Sequence, residues 1–445
     1  MDRAVSSGQF ATLSEPPRYR VGYWLSAKKL KKINFDQFAQ MCRPHGIELV
    51  PLDLNTDLDE QGPFHAVLHK LSDVWTLADQ GNPQATAWLN NLKHFLDTHS
   101  GLLMIDPLPS IHLLCDRTLQ YSFLKDVCDY DDGVLAPPYV TVAKGDDPSE
   151  RVRAAGLNFP IVCKPVVAHG SSTAHQQCPL TVQAHEMCVV FNHSGFTQVP
   201  LPCVAQSFIP HNAILYKVFV IGHSNFLIPR PSLKNFAPGD SQTIFFDSHE
   251  ISKVGCASEL TELDEPVSEN SLKAPSQSVI DRVVRRIRST ANLSLFGVDL
   301  IVEKDTDRCF AIDVNTFPGY DGVPDFFGHL LSLLQSSLAS SESGRSASSS
   351  TSSAVVHARS TSDICDYRGR SPATDSGIGS GTSESEISDS EKKWRKGCVS
   401  TAFFPDWNRI KRFYGIPKPI QNAPPNGADS AARADETKPR SDTIP

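Results

Sequence analysis

The stretch Leu295–Val323, LFGVDLIVEKDTDRCFAIDVNTFPGYDGV, holds the densest set of chemically informative residues in the chain. It reads as two strands of alternating character, Gly297 to Val302 and Cys309 to Val314, each carrying one carboxylate, Asp299 or Asp313, inside an apolar run. A buried charge is costly unless it is paired or coordinates a metal. Asn315 follows Asp313 by two positions, so strand alternation turns both side chains to the same face. Together Asp299, Asp313 and Asn315 form an all-oxygen ligand set suited to Mg²⁺ shared with substrate phosphates. The same spacing fits a hairpin whose aspartates are capped by local hydrogen bonds. The rest of the chain has to decide between the two.

With 445 residues, the chain is long enough for two or three domains with substantial cores. An apolar fraction of 40% and an aromatic fraction of 8% describe a soluble globular protein, while 32 prolines and a Ser-rich end predict that part of it does not fold. No apolar run approaches the roughly 18 residues of a membrane helix, and the polar N-terminus lacks the apolar core of a signal peptide. No membrane span is expected, and the expected address is the cytosol. Eleven scattered cysteines without a CxxC pair support neither a disulfide framework nor a zinc ribbon, so reduced and mostly buried thiols are expected. A net charge of −8 argues against general nucleic-acid binding.

Residues 1–18 read as a flexible leader. A strand at Arg20–Ser26, a helix over Lys28–Arg43 and a strand IELVPLDL after Pro44-His45-Gly46 suggest a βαβ unit. Ala66–Leu71 as a strand, a helical region over Trp75–Leu96 and a strand at Leu102–Asp106 complete a Rossmann-like parallel α/β domain over 19–110, without a GxGxxG fingerprint. Ser110–Cys128 is patterned as one amphipathic helix, and Pro137-Pro138 leads into a strand at Tyr139–Val142. The texture then changes to short strands, FPIVCKPV, HEMCVVFN, PCVAQSFI, ILYKVFVIG and NFLIPRPS, followed by a helix over Ser278–Thr290. This predicts an α+β region built on antiparallel sheet over 111–339, ending in a helix over Phe326–Leu338. The Ser-rich segment 340–445 is too poor in apolar residues to offset ordering entropy and is expected to be disordered.

Lys164 lies in FPIVCKPV, where alternation sets it opposite the core-facing residues, either at a cleft edge or on a solvated strand face. Combined with the polar and apolar connection QSFIPHNAILYK and the paired carboxylates, it supplies the parts of a nucleoside triphosphate site: a cation over phosphates, a holder for adenine and metal ligands.

The strand KPV, the segment LYKVFV and the late FGVDLIV with AIDVNTFPG resemble the ATP-grasp fold. Over about residues 20–335, VGYWLSAKKLKK, HKLSD, DPLPSIHLLCDR, VAHG, HEMCVVFN, LYKVFVIG, RPSLKNF and IDVNTFPGYDGV resemble the inositol-tetrakisphosphate 1-kinases, also called inositol 1,3,4-trisphosphate 5/6-kinases. The resemblance implies an N-terminal pre-ATP-grasp domain, two ATP-grasp subdomains with ATP between them, and a kinase that phosphorylates inositol tris- and tetrakisphosphates, with reversible phosphotransfer. It implies that ATP is contacted by Arg117, Lys164, the connection Gln206, Ser207, Phe208, Ile209, Pro210, His211, Asn212, Ala213, Ile214, Leu215, Tyr216 and Lys217, and by Ser232, Ser248 and Ser252. Asp299, Asp313 and Asn315 would hold two Mg²⁺ ions, and Lys29, His185, Lys217, Asn315 and Gly319 would contact the inositol phosphate. Lys164, Asp313 and Asn315 are the expected catalytic set. The substrate's dense negative charge calls for several cations, and Lys28, Lys31, Lys32, Arg230 and Lys234 could add to the field.

One departure from the family pattern is the stretch Thr173–Ala184 between AHGSS and HEM, which leaves either His185 or His175 to meet the substrate. In the tail, Asp375–Ser380, DSGIGS, has the form of a phosphodegron read by a ubiquitin-ligase adaptor, or is a plain solvated linker. A monomer is expected. Two other functions fit the same parts: an ATP-grasp carboxylate–amine ligase, and a catalytically weakened scaffold that binds inositol phosphates.

Overall fold

The computed structural model describes residues 17–128, 133–169, 184–268 and 272–349. The leader 1–16, the stretch 170–183 with His175 and most of Thr173–Ala184, and the tail beyond 349 with Asp375–Ser380 lie outside the described residues.

The chain opens as β1 (Tyr19–Trp24), α1 (Ala27–Lys32), α2 (Phe35–Cys42), β2 (Ile47–Pro51), β3 (Ala66–His69), α3 (Ser72–Asp79), α4 (Pro83–Thr98) and β4 (Leu103–Ile105). These strands form a four-stranded sheet in the order β2-β1-β3-β4, and every pairing is parallel. The parallel α/β character expected for this part is what the structure has.

There follow α5 (Leu108–Leu113), α6 (Arg117–Val127), β5 (Val134–Leu135), β6 (Tyr139–Val142), α7 (Pro148–Ala154), β7 (Ile161–Pro165), β8 (Glu186–Val190), β9 (Cys203–Ser207), β10 (Ile214–Ile221), β11 (Ser224–Pro231), β12 (Ile244–Asp247), α8 (Ser248–Ile251), α9 (Gln277–Ala291), β13 (Leu295–Val302), β14 (Cys309–Thr316) and α10 (Phe326–Ser349). One five-stranded sheet runs β12-β8-β7-β9-β6, antiparallel throughout. The other runs β11-β10-β13-β14-β5 and is antiparallel except where β14 meets β5.

Hydrophobic burial joins the first sheet to this last one. Val21, Phe38 and Ile105 share a cluster with Phe219, Leu295, Phe317, Leu330 and Leu334, so α10 is part of one core with both. The sheet containing β7 has its own core around Ile161, Cys163, Val190 and Ala205. Among the described cysteines, Cys42, Cys115, Cys163, Cys188, Cys203 and Cys309 are buried, and none of the described cysteines forms a disulfide.

Three helices predicted as continuous are broken, each at a capping side chain. The Lys28–Arg43 helix divides at Asn34, whose side chain accepts from Gln37 N. The Trp75–Leu96 region divides at Asn82, which accepts from Ala85 N just before Pro83. The Ser110–Cys128 helix divides at Asp116, which accepts from Leu119 N. Such a cap is worth about 1 kcal/mol and overrides apolar periodicity that runs through it. The last helix departs the other way, extending from the predicted Leu338 end to Ser349. Ser336 and Ser340 hydroxyls donate to carbonyls one turn back, and Glu342 pairs with Arg18 at 2.6 Å, which offsets the weak helix propensity of serine.

Candidate active site

The three-stranded run β10-β13-β14 places Lys217 opposite Asp299 and Asp299 opposite Asp313, one rung across the sheet. Residues on one rung share a face, so an ammonium and two carboxylates stand side by side. A bulge between Asp299 and Leu300 interrupts the ladder at this rung, a device that re-aims side chains at functional sites. Lys217 Nζ lies 2.8 Å from Asp299 Oδ2. Two positions further along β14, Asn315 Nδ2 donates to Asp313 Oδ2 at 3.1 Å, which bears out the common face expected for these two.

The carboxylates differ in electrostatic setting. Burial raises the Asp299 carboxyl above the usual range in spite of Lys217. Burial acts on Asp313 in the same direction, but Arg117, Lys164 and Lys217 hold it below the usual range. Two carboxylates and one amide cannot encage a cation unaided, and no group of three or more His, Cys, Asp or Glu suited to a metal occurs among the described residues. A partial oxygen set of this kind fits Mg²⁺, which keeps several waters and completes its shell with phosphate oxygens. A cation between Asp299 and Asp313 would also relieve the repulsion that helps to raise Asp299.

Lys164 reaches this rung from β7. Its Nζ donates to Tyr121 Oη at 2.7 Å and to the Ile312 carbonyl at 3.0 Å, immediately before Asp313. Burial lowers its pKa to about 8, with Asp313 opposing the shift. The Tyr121 hydroxyl also lies within hydrogen-bond reach of Gln206 Oε1 and the Ile312 carbonyl, so one side chain of α6 ties together β7, β9 and β14. Tyr121 is fully buried, and its helical position carried no sequence signal that could have singled it out.

Arg117, expected to contact ATP, is 2% exposed, and its guanidinium donates to the carbonyls of Pro165 (2.7 Å), Val167 (2.8 Å) and Ala184 (3.0 Å). It stands within electrostatic reach of Asp313 and fixes the backbone after Lys164.

The connection Gln206 to Lys217 leaves β9 and enters β10. Phe208, Ile209, Leu215 and Tyr216 are buried. His211 bridges the Ile209 carbonyl (2.6 Å) and Ser232 Oγ (2.7 Å). Asn212 and Ala213 have φ of 53° and 58°, a left-handed pair held by Asn235 Oδ1 on Asn212 N and by Ser232 N on the Ala213 carbonyl. Pro210 accepts from Lys304 N, and Ile214 opens β10. Ser207 closes β9. Ser232 thus contacts the connection itself. Ser248 and Ser252 lie at α8, where Ser252 Oγ donates to the Ser248 carbonyl.

Of the anticipated substrate residues, Lys29 and Gly319 meet at the turn after β14, whereas Lys217 and Asn315 lie along the strands and His185 lies beside His249. Lys29 is 7% exposed and donates to the carbonyls of Pro318 (2.5 Å) and Phe317 (3.3 Å). Burial, with Lys70 and Lys32 adding to it, lowers its pKa to about 6. Lys70, unmarked by the sequence reading although HKLSD contains it, also donates to the Phe317 carbonyl, at 3.1 Å. Lys32 pairs with Asp321 at 2.7 Å, and Arg230 donates to the Asp321 carbonyl at 2.6 Å. A Cβ on Gly319 would meet the Asp321–Lys32 pair, at 2.6 Å from Asp321 Oδ2 and 2.8 Å from Lys32 Nζ. Lys234 pairs with Asp264 instead. His185 stacks on His249 with centroids 3.6 Å apart, and its carbonyl accepts from Ser248 N. Burial, then His249 and Arg117, lower the His185 pKa to about 4. His249, which no sequence motif marked, lies within electrostatic reach of Lys217, Lys28 and Lys32.

Comparison with known proteins decides the lineage. The family model for the inositol 1,3,4-trisphosphate 5/6-kinase pre-ATP-grasp domain matches residues 20–111, and that for the corresponding ATP-grasp domain matches 128–336. An inositol-tetrakisphosphate 1-kinase of Xenopus laevis is 41% identical over 318 residues, covering 70% of this chain and 77% of that protein. Its counterpart in Danio rerio is 39% identical over 325 residues, covering 72% and 79%. Inositol-tetrakisphosphate 1-kinase 4 of Glycine max is 30% identical over 330 residues, covering 71% and 88%.

The chain belongs to the inositol-tetrakisphosphate 1-kinase family. In this ATP-grasp family member the pre-ATP-grasp region supplies Lys29, Lys32 and Lys70, and the ATP-grasp region supplies the carboxylates, Asn315, Lys164 and Lys217. The two regions meet at the Phe317–Asp321 turn. No helix among the described residues is long and apolar enough to cross a membrane.

Proposed function

We propose that this protein is an ATP-dependent inositol polyphosphate kinase that transfers the γ-phosphoryl group of Mg-ATP to a ring hydroxyl. Its substrates are inositol 3,4,5,6-tetrakisphosphate, phosphorylated at position 1, and inositol 1,3,4-trisphosphate, phosphorylated at position 5 or 6. Reversible transfer through bound nucleotide gives it phosphotransferase and isomerase activity as well. The observation that carries this reading is the adjacency of two unlike sites on β14. Asp299 and Asp313 face each other across β13 and β14 with Asn315 bonded to Asp313, and just after β14 the Phe317 and Pro318 carbonyls accept from Lys29 and Lys70, with Lys32 paired to Asp321 in the same turn.

ATP is held by Arg117, Lys164, the connection Gln206 to Lys217, Ser232, Ser248 and Ser252. Asp299, Asp313 and Asn315 hold two Mg²⁺ ions, which when bound neutralise phosphate charge. Lys29, His185, Lys217, Asn315 and Gly319 contact the inositol phosphate, and Lys70 and Arg230 complete the cationic field. Lys164 aligns the phosphates and stabilises the charge that builds on them in the transition state. Phosphoryl transfer passes through a loose transition state, so positioning and charge neutralisation dominate and a strong general base is not required. The protein works as a cytosolic monomer, and its tail is read by a ubiquitin-ligase adaptor once Ser376 and Ser380 are phosphorylated.

Two features support the kinase over a carboxylate–amine ligase: the family membership and the lysine cradle, which suits a densely anionic substrate. The test is product identification after incubation with Mg-ATP and a panel of inositol tris- and tetrakisphosphates, amino acids and carboxylates. Phosphorylated inositol is the expected product. Consumption of ATP only with an amino acid and a carboxylate overturns the reading.

A further inference from the structure

A lysine ammonium is a point charge on a flexible four-carbon stem, so it meets a phosphate from a defined place only where other groups fix it. Around Lys164 that task falls to α6. Lys164 Nζ donates to Tyr121 Oη at 2.7 Å and to the Ile312 carbonyl at 3.0 Å, and it stands 5.3 Å from the centre of the Tyr121 ring. Two of the three N–H bonds of the ammonium are thereby directed at protein partners, and one is left for a ligand.

These partners are themselves held. Ile312 is the residue that the bulge in β14 leaves without a register partner in β13, and the carbonyl of such an extra residue has to find its donors elsewhere. It finds them in Tyr121 Oη, at 3.0 Å, and in Lys164. Gln120, the neighbour of Tyr121 on α6, donates through Nε2 to the Val314 carbonyl at 2.6 Å, so α6 grips the backbone on both sides of Asp313. The Tyr121 hydroxyl also lies within hydrogen-bond reach of Gln206 Oε1 in β9, and Tyr121, Lys164 and Gln206 are all buried. A hydroxyl set among three strands and a helix in this way is fixed in space, and so is the ammonium that it accepts from.

We infer that Tyr121 is a positioning residue whose hydroxyl holds the Lys164 ammonium where it meets the phosphates of bound ATP, and that it acts on the nucleotide through Lys164. The inference rests on the placement of ATP at Lys164 in the kinase reading above.

The test is a double-mutant cycle on the full-length protein, with wild type, Tyr121→Phe, Lys164→Met and the double variant. Binding of Mg-ATP, and of adenosine, which has no phosphate, is read by displacement of a fluorescent nucleotide. Tyr121→Phe keeps the ring and loses only the hydroxyl. It weakens Mg-ATP binding about 10-fold, as for a lost buried hydrogen bond to a charged group, and leaves adenosine binding within about 2-fold of wild type. Added to Lys164→Met, the same substitution changes Mg-ATP affinity by no more than about 2-fold, because its partner is already gone. Losses that simply add in the double variant overturn the inference. So does an equal loss for adenosine and Mg-ATP in Tyr121→Phe, which is the mark of a general folding or packing role. Wild-type Mg-ATP affinity in either single variant overturns it too. The cycle reads the nucleotide alone, so a wild type that binds Mg-ATP and phosphorylates no inositol polyphosphate overturns the kinase reading without altering the cycle, and the two failures are distinguishable.

Discussion

Lys217 and Asp299 are register partners on adjacent strands, with Nζ 2.8 Å from Oδ2. A metal ion at Asp299 would compete with this ammonium for the carboxylate and so free it for a phosphate. Lys217→Met is therefore expected to take up Mg²⁺ at least as tightly with ATP present, while kcat/KM for the inositol phosphate drops about 10- to 100-fold, as for a lost charge-assisted hydrogen bond. Calorimetric titration of Mg²⁺ with ATP present, set beside steady-state kinetics, checks both halves. Weakened metal binding in the variant contradicts the exchange.

Asp313 lies among Arg117, Lys164 and Lys217, and Asn315 donates to it. Asp313→Asn removes the charge while keeping the side chain's shape and an oxygen for Asn315 to donate to, so it is a cleaner variant than alanine. Phosphoryl transfer should fall by roughly 10³-fold, in line with loss of a major electrostatic stabiliser, while circular dichroism and the thermal midpoint report a folded protein. Wild-type turnover in saturating Mg²⁺ would remove Asp313 from the metal site.

Lys29 has a pKa of about 6 in the ligand-free cradle, set by burial and by Lys70 and Lys32. At pH 7.5 it is largely neutral. A bound polyphosphate favours the ammonium and moves the pKa back towards its ordinary value, so substrate binding takes up protons. Isothermal titration in buffers of different ionisation enthalpy should show this uptake, and Lys29→Met should lower it by about one proton. An uptake equal in the two proteins contradicts the role assigned to Lys29.

Asp106 accepts hydrogen bonds from Ser294 N and Leu295 N, both at 2.8 Å, and so joins the end of β4 to the start of β13. Burial raises its pKa to about 6 despite these bonds. The folded protein then binds more protons than the unfolded chain between about pH 4 and 6. Stability present below pH 4 is thus lost as pH rises through 6, by about 3 kcal/mol for a shift of this size. Denaturant titrations across this range should give a shallower pH dependence for Asp106→Asn. A slope unchanged from wild type would assign the effect to other carboxyls.

Local patterns carried a large part of this structure. Alternation in Leu295–Thr316 is a property of neighbouring residues, and it announced both strands and the shared face of Asp313 and Asn315. The family strings at Lys29, Lys164 and Val298–Val302 were likewise readable without coordinates. Helix ends were less legible, because periodicity continues through Asn34, Asn82 and Asp116 while the caps at these positions end one helix and start the next.

Strand register and the meeting of distant segments belonged to the tertiary structure. Nothing in the sequence says that Lys217, Asp299 and Asp313 share one rung, since that depends on how three strands align over backbone hydrogen bonds. Tyr121 looked like any aromatic on an amphipathic helix until packing brought its hydroxyl to Lys164 and Gln206. Lys70 became part of the cradle only through its contact with the Phe317 carbonyl, 247 residues away in the chain. The sequence by itself determined which groups could do the chemistry, because residue type and local spacing are written in it directly. Their convergence on one site was decided by folding, because it arises from long-range burial that assembles strands and turns far apart in the chain.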